Sequence, residues 1–379
     1  MAPFRKSPYD FLVMPENMTI RPFGAADVKT VASLYEKVVR SGRSVASAGL
    51  ESAFHSLFVA SPLVSQEIPP LVLESAAGLQ GFQGRHVRTT NTNHQLVSLG
   101  PLFVSPQARS TGAGLKLLSQ AFQGPQHLTY SDGASEEARR LWERLGGRCS
   151  DSHSMEWIVP LRPATTLLRS AARGRNPRIS KTLAAFEPLA RQADRLLRER
   201  WYRKLVGDNR PSIELSEISE PEWIGFLKND SGDQALSPLF TDEVAEWTLN
   251  QLRSLKSRGT FLLLGARRNR SLLGTIAGYS RSDRTLSIMQ LRCDERYLPP
   301  VLSALIRYAH GRGMTAVEGR LDATVKGGLG ALPLMFRRST PFLVHGSNHS
   351  IIDRFLGLDS AFSRIDGEWI MNLRAEAYA

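Results

Sequence analysis

Arg109, Gly112 and Gly114 stand in the stretch GPLFVSPQARSTGAGLKLLSQAF (Gly100–Phe122), where a strand-like run passes into an evident helix. The first N–H groups of a helix have no partners inside it. Glycines at that point let the backbone approach a ligand closely. With the positive end of the helix dipole they form an anion site, most often for phosphate. The residues Arg109, Ser110, Thr111, Gly112, Ala113 and Gly114 are therefore expected to cradle a phosphate-bearing ligand. No metal site is expected, because Cys149 and Cys293 lie far apart and form no ligand pair. Two isolated cysteines also suit a reduced, cytoplasmic setting.

The elements around this loop follow from periodicity. With 379 residues the chain is too long for one ordinary core, and two domains are expected. No apolar run approaches the roughly 18 residues of a spanning helix, and the Phe11–Met14 patch is too short for a signal-peptide core. Strands are predicted at Thr19–Pro22, Pro70–Leu73, Gly81–Thr89, Gln95–Val104, His127–Tyr130 and Met155–Val159. Helices are predicted at Asp27–Val39, Gly112–Phe122 and Ser135–Leu145, the last stopped by Gly146-Gly147. After a basic segment the order repeats. Ile213–Leu215, Phe261–Leu264, Leu272–Tyr279, Leu286–Leu291, Val317–Leu321, Phe342–Val344 and Trp369–Leu373 read as strands, and Glu222–Leu227, Asp242–Leu255 and Val301–His310 as helices. The fold class is α/β (α+β), two mixed, mostly antiparallel sheets flanked by helices. The expected domains are residues 19–160 and 212–374, joined by a helical linker over 161–211.

The first copy resembles the GNAT superfamily, the acyl-CoA-dependent N-acyltransferases. The family signature Gln/Arg-x-x-Gly-x-Gly/Ala reads Arg109-Ser-Thr-Gly112-Ala-Gly114 here, after a fourth strand. LGPLFVSP (Leu99–Pro106) is similar to the LGPLAVxP of one bacterial branch, and SEEARRLWERLGG (Ser135–Gly147) to the family's NxxAxxLYxxLGF. The resemblance covers about residues 19–160. It implies acetyl-CoA or another acyl-CoA as co-substrate, its pyrophosphate on the Arg109–Gly114 loop. It also implies a pantetheine arm beside the backbone of Leu102, Phe103 and Val104, and a contact at Ser135. Many relatives carry a base Glu on the fourth strand, where this sequence has Ser98, and an acid Tyr where it has Trp142. Ser98 and Tyr130 are taken as the catalytic candidates, with His94 and Glu74 as further substitutes. In the second copy RCDERYLPP follows Leu291 and lacks glycines, so a single coenzyme site is expected. Gly327-Gly328-Leu-Gly330 reads as a flexible loop over a cleft.

Residues 160–210 hold thirteen basic and four acidic side chains, nine of the chain's net twelve positive charges. Such a segment attracts phosphates, nucleic acid or an anionic membrane surface. From Leu183 to Leu205 an amphipathic helix is predicted, with Phe186, Leu189, Ala193, Leu197 and Trp201 packed and Arg191, Arg195 and Arg198 in water. The functional expectation is an N-acyltransferase, acetyl transfer first, acting on a small-molecule or glycan amine bound between the two domains. The alternatives are a non-catalytic acyl-CoA-binding or regulatory protein and an aminoacyl-tRNA-dependent transferase. Nucleic acid is the less favoured partner of the basic segment, no transmembrane segment is expected, and the sequence does not fix the oligomeric state.

Overall fold

The computed structural model describes residues 18–40, 45–173, 176–206, 213–229, 236–357, 360–371 and 373. The Phe11–Met14 patch, and Arg175, Asp208 and Arg210 of the basic segment, lie outside the described residues. In chain order the elements are β1 (Met18–Pro22), α1 (Val28–Val38), α2 (Ala48–Phe58), β2 (Leu71–Ser75), β3 (Gly78–Thr89), β4 (Gln95–Val104), α3 (Pro106–Arg109), α4 (Ala113–Phe122), β5 (Leu128–Ser131), α5 (Glu136–Arg144), β6 (Arg148–Cys149) and β7 (Met155–Pro160). Three helices follow, α6 (Pro163–Ala172), α7 (Pro177–Ala185) and α8 (Glu187–Val206). Then come β8 (Glu214–Glu217), α9 (Glu220–Asn229), α10 (Asp242–Ser254), β9 (Thr260–Arg268), β10 (Ser271–Ser280), β11 (Thr285–Cys293) and α11 (Leu298–Gly311). The chain continues through β12 (Ala316–Arg320), α12 (Ala323–Lys326), β13 (Met335–Arg338), β14 (Leu343–His345) and α13 (His349–Leu356).

Two seven-stranded sheets result, ordered β1-β2-β3-β4-β5-β14-β6 and β8-β9-β10-β11-β12-β7-β13. In each sheet the one parallel pair joins the fourth and fifth strands, β4 with β5 and β11 with β12. The sixth place in each sheet is filled from the other half of the sequence. β14 pairs with β5 through Leu343–Ser131, Val344–Tyr130 and His345–Thr129. β7 pairs with β12 through Ala316–Pro160 to Arg320–Glu156. This corrects the domain limits expected from sequence. One unit comprises Met1–Ser154, Gln234–Ser257 and Thr340–Ala379, the other Met155–Asp233 and Arg258–Ser339. The strand expected to close the first copy thus belongs to the second sheet, and the strand expected in the second copy closes the first. Both are short and apolar, and apolar alternation marks a strand without naming its neighbour.

In the first unit α1 and α2 cover one face of the sheet. Val31, Tyr35, Leu50, Phe54, Leu57 and Phe58 are buried against Val72, Phe82 and Phe103. Phe82 lies 5.0 Å from Phe58 and 5.1 Å from Phe23, ring centre to ring centre and edge to face, a favourable quadrupole arrangement. α2 is missing from the sequence reading, although Leu50, Phe54, Leu57 and Phe58 have helical spacing and Ser47 caps the helix by accepting from the Leu50 N–H at 3.3 Å. α4 and α5 cover the opposite face with Leu118, Phe122, Trp142 and Leu145. α10, expected with the second copy, packs here instead. Its Trp247 Nε1 donates to the Ser56 carbonyl at 3.3 Å and its Gln251 Nε2 to Ser56 Oγ at 2.8 Å. Trp369–Leu373, expected as a strand, begins as a 3-10 turn over Glu368–Met371.

In the second unit α11 buries Val301, Leu302, Leu305 and Ile306 in a core shared with Trp157, Val159, Leu264, Ile276 and Ile288. β7 is fastened there by Trp157, whose Nε1 donates to the Arg320 carbonyl at 3.0 Å. α8 is docked by its own Trp201, whose Nε1 donates to the Pro160 carbonyl at 2.6 Å. The side expected to pack was wrong for three residues. Phe186, Leu189 and Leu197 are exposed, and the docked face runs through Glu187, Asp194, Trp201 and Leu205. Asp194 decides this. Its buried carboxylate accepts from the N–H groups of Ala164 and Thr165 at 2.8 and 3.0 Å and so caps α6.

The exchange makes the first unit depend on residues after position 340. A chain cut after Ser339 keeps every residue of β1–β6 but should lose the cooperative near-UV circular dichroism transition of that unit. In the full chain, Phe355 packs 4.9 Å from Tyr130 and 5.0 Å from Phe362. Phe355→Ala should lower stability by about 3–5 kcal/mol in urea unfolding.

Candidate active site

β4 and β5 pair only through Leu96–Leu128, Val97–Thr129 and Ser98–Tyr130. Beyond these residues the two strands part. A cavity of about 250 Å³ opens between them, lined on the β4 side by Leu99, Gly100, Pro101 and Leu102. Ser131, Gly133, Ala134 and Ser135 line the β5 side. Trp142 of α5 forms part of the wall, and Tyr35 of α1 another.

One carboxyl group occupies the parting. Glu368 comes from the segment after α13, and its Oε2 accepts a hydrogen bond from Ser131 Oγ at 2.5 Å. A Cβ placed on Gly133 would stand 2.2 Å from Glu368 Oε1, and one on Gly100 would stand 2.8 Å from Oε2. Gly100, with φ +154° and Glu368 Cβ 2.7 Å from such an atom, has to be glycine; at Gly133 the carboxyl end would have to move aside. Part of the residue faces the cavity, but the carboxyl is enclosed. Burial, and next the nearby Asp132 charge, push its pKa up from the usual 4.5 to about 8, against the lowering effect of the Ser131 and Gly133 hydrogen bonds.

The Glu368 turn is held by Tyr130, expected as a catalytic candidate, and by Arg88. Tyr130 does not line the cavity. Its ring is buried and its hydroxyl donates to the Asp366 carbonyl at 2.5 Å, two residues before Glu368. Arg88 Nη2 donates to the Ile365 carbonyl at 3.1 Å, and the same guanidinium faces Asp366 Oδ1 at 3.8 Å. Ser98 is buried at the last paired position of β4 and is also absent from the cavity wall. The catalytic expectation for Ser98 and Tyr130 is thereby corrected: one ends the parallel pairing and the other positions the segment that carries Glu368. His94 packs edge-on to His127 and bonds Thr92, and Glu74 pairs with Arg21, both away from the cavity.

The glycine loop leads away from the same strand. Ser105 Oγ caps α3 through the Ala108 N–H at 3.2 Å. Gly112 then takes φ +76°, a left-handed turn that glycine adopts without strain, and α4 begins. The first N–H of this helix to bond backwards is that of Lys116, to the Gly112 carbonyl at 3.1 Å. The N–H groups of Ala113, Gly114 and Leu115 are left to face forward. Gly114 has an ordinary helical backbone and no protein atom within 4 Å of a Cβ built on it. Packing within the chain thus gives no reason for a glycine there, and a residue in a helix costs about 0.5–1 kcal/mol more as glycine than as alanine. Close approach of a ligand does give one. Arg109 is exposed beside this opening. Leu102 and Ser135 line the cavity, Phe103 packs into the aromatic core on Tyr35, and Val104 ends the strand. Ser135 also caps α5 through the Ala138 N–H at 3.2 Å. The residues expected to hold acyl-CoA therefore fall along one path, from the helix start down β4 to the parting.

No protein-family model and no curated protein matches this sequence. Solved structures do match in fold. A GCN5-related N-acetyltransferase from Anabaena variabilis ATCC 29413 is 11% identical over 87% of this chain and 73% of its own, with a TM-score of 0.57. A conserved protein of unknown function from Enterococcus faecalis V583, described as "Probable N-Acyltransferase", is 11% identical over 89% of this chain and 74% of its own, with a TM-score of 0.54. The chain has the GNAT fold. Each sheet carries the parallel fourth and fifth strands, but the helix start of the second unit differs from that of the first. After β11, Asp294 accepts from the Arg296 N–H at 3.0 Å, and α11 opens with Pro299 and Pro300, which have no N–H to offer. A Cβ on Gly328 would meet Leu298 at 2.6 Å, so that glycine packs against α11 and is no free loop over a cleft. Among the described residues no group of three or more His, Cys, Asp or Glu side chains forms a metal site, and no helix is long and apolar enough to cross a membrane.

Two outcomes test this site. Gly114→Asp places a carboxylate in the first turn of α4, where it favours the helix dipole by about 0.3–1 kcal/mol and opposes any bound phosphate. The variant should melt no lower than the parent yet lose calorimetric binding of acetyl-CoA. For Glu368, the folded state keeps a proton that the unfolded chain releases above pH 4.5, up to about pH 8. Stability contributed by that group falls as pH rises through this window. Glu368→Gln should flatten the fall, and should melt higher than the parent in thermal scans at about pH 8.

Proposed function

We propose that this chain is an acyl-CoA-dependent N-acyltransferase, acetyl-CoA being the first donor to try, and that Glu368 is its general base. The observation that carries the reading is the Glu368 carboxyl, enclosed between Gly100 and Gly133 at the parting of β4 and β5. A group poised near pH 8 is matched to both protons of an aminolysis. It takes one from the attacking amine, and the thiolate that leaves has an ordinary pKa of about 8.5, close enough to receive it back.

Acyl-CoA as co-substrate supplies the thioester. The amine nitrogen bonds to the thioester carbon, the carbon–sulfur bond breaks, and the sulfur departs as thiolate. The N–H groups of Ala113 to Leu115 and the Arg109 side chain bind the pyrophosphate. The Leu102 N–H, on the wall of the cavity, is the donor for the thioester oxygen as it becomes negative; Pro101 beside it has none. Trp142 offers a ring wall and no useful proton. The acceptor is the amine of a small molecule or glycan, reaching the parting from the Tyr35 side of the cavity.

The test is thiol release from acetyl-CoA against a panel of amines. Glu368→Gln should keep the parent affinity for acetyl-CoA and lose roughly 100-fold or more in turnover. The parent kcat/KM, corrected for ionisation of the amine, should rise with pH to a plateau with an apparent pKa near 8. Unchanged turnover in Glu368→Gln would remove the base. Tight acetyl-CoA binding with no release against any amine would favour the second reading, a non-catalytic acyl-CoA-binding protein. An aminoacyl-tRNA-dependent transferase has no use for a phosphate cradle at α4.

A further inference from the structure

The helices α6, α7 and α8 carry six of the nine large hydrophobic side chains that stand exposed among the described residues: Leu167, Ile179, Phe186, Leu189, Leu196 and Leu197. On α8 they are not scattered. Phe186, just before its first residue, and Leu189, Ala193, Leu196 and Leu197 follow helical spacing and lie on one side. Leu196 is 84% exposed and Leu189 62%. The docked side of the same helix is a different one, through Asp194, Trp201 and Leu205, and its polar groups are satisfied by Ala164, Thr165 and Pro160. Tyr202 is stacked on His310 at 4.1 Å. The apolar stripe therefore faces outward on a helix that is firmly attached.

The surroundings of the stripe are cationic. Arg200, Arg203 and Lys204 continue it through the last turn, whereas Arg191, Arg195 and Arg198 lie round the helix from the stripe, on the side of Tyr202 and Glu187. Arg178 and Lys181 are exposed on α7. The opposing acids are few. Glu187 is engaged by Arg169 at 2.5 Å and Arg191 at 2.8 Å, Asp194 is buried as a cap, and only Glu199 is left exposed. An exposed apolar stripe set among cations, on a helix that does not span, is the pattern of a segment lying in a lipid interface. Leucines enter the acyl boundary, and long basic side chains keep their heads at the headgroups. A nucleic acid would use the cations but leave Leu189, Leu196 and Phe186 in water.

We propose that α6, α7 and α8 form a docking surface for an anionic lipid bilayer. The surface shares no residue with the lining of the Glu368 cavity, and the proposal is independent of the acyltransfer reading. The test is sedimentation of the full chain with phosphatidylcholine vesicles, with and without phosphatidylserine. The protein should pellet with the serine-containing vesicles and stay in solution with the others, and added salt should release it. Leu189→Ser/Leu196→Ser, which changes no charge, should weaken vesicle binding about tenfold while leaving the melting temperature and acetyl-CoA affinity unchanged. Arg200→Gln/Arg203→Gln/Lys204→Gln should weaken binding and flatten its salt dependence. Failure to bind the anionic vesicles overturns the proposal. So does unchanged binding by the Leu variant, since attraction would then be to charge alone, and so does salt-sensitive binding of RNA in place of vesicles.

Discussion

A carboxyl group wedged between two parallel strands is the constraint around which the first unit is organised. β4 and β5 stop pairing at Ser98 and Tyr130, and Glu368 takes the space just beyond. Everything near it bears the mark of that placement. Gly100 has no room for a side chain, Gly133 leaves the carboxyl its place, Ser131 turns its hydroxyl inward, and Tyr130 and Arg88 hold the incoming turn by its carbonyls. Keeping an acid in such a place works against folding at neutral pH. A site whose chemistry needs a proton acceptor can retain it for that reason, since function and stability commonly oppose each other at such positions.

The parts of this design that are local were legible in the sequence. The glycine loop and the helix it opens depend on residues within a few positions of each other. The fold class followed from the repeated order of strands and helices. What could not be read was set by contacts across long sequence distance. Glu368 reaches Ser131 over more than half the chain, and nothing in GEW marks it for a place between two strands. A signal did exist in Gly100 and Gly133, which follow Ser98 and Tyr130 closely on the two strands, but its meaning depends on knowing what lies between them. Ser98 was inferred from a position in a family pattern, and the structure shows that position closed. Phe186 and Leu189 were assigned to a core by periodicity alone, which finds a helix's apolar side but not whether anything covers it.

The two sheets show how one strand order can be furnished in different ways. Both have a parallel central pair followed by a helix, so both could present a helix start to an anion. In the first unit that start is open, with glycine where no neighbour demands it. In the second it is closed by the chain itself, through the Asp294 carboxylate, two prolines and Leu298 against Gly328. The difference lies in a handful of side chains at the loop and not in the backbone plan. Fold and ligand capacity are therefore separable properties here.

The exchange of β7 and β14 also bears on how the protein is made. Domains usually fold as units, the N-terminal one first, as the chain emerges during synthesis. Here the first sheet cannot be finished when its own half of the message has been translated, because the place beside β5 waits for Leu343–His345. β7 emerges early with its partner β12 still unmade, and pairing over such distances is slow. A nascent chain must therefore hold two unfinished sheet edges for a long stretch of its synthesis, a period in which association with other chains is the hazard. The same order leaves Glu368 among the last residues of the first unit to arrive, so a chain released early would carry the glycine loop without that carboxyl.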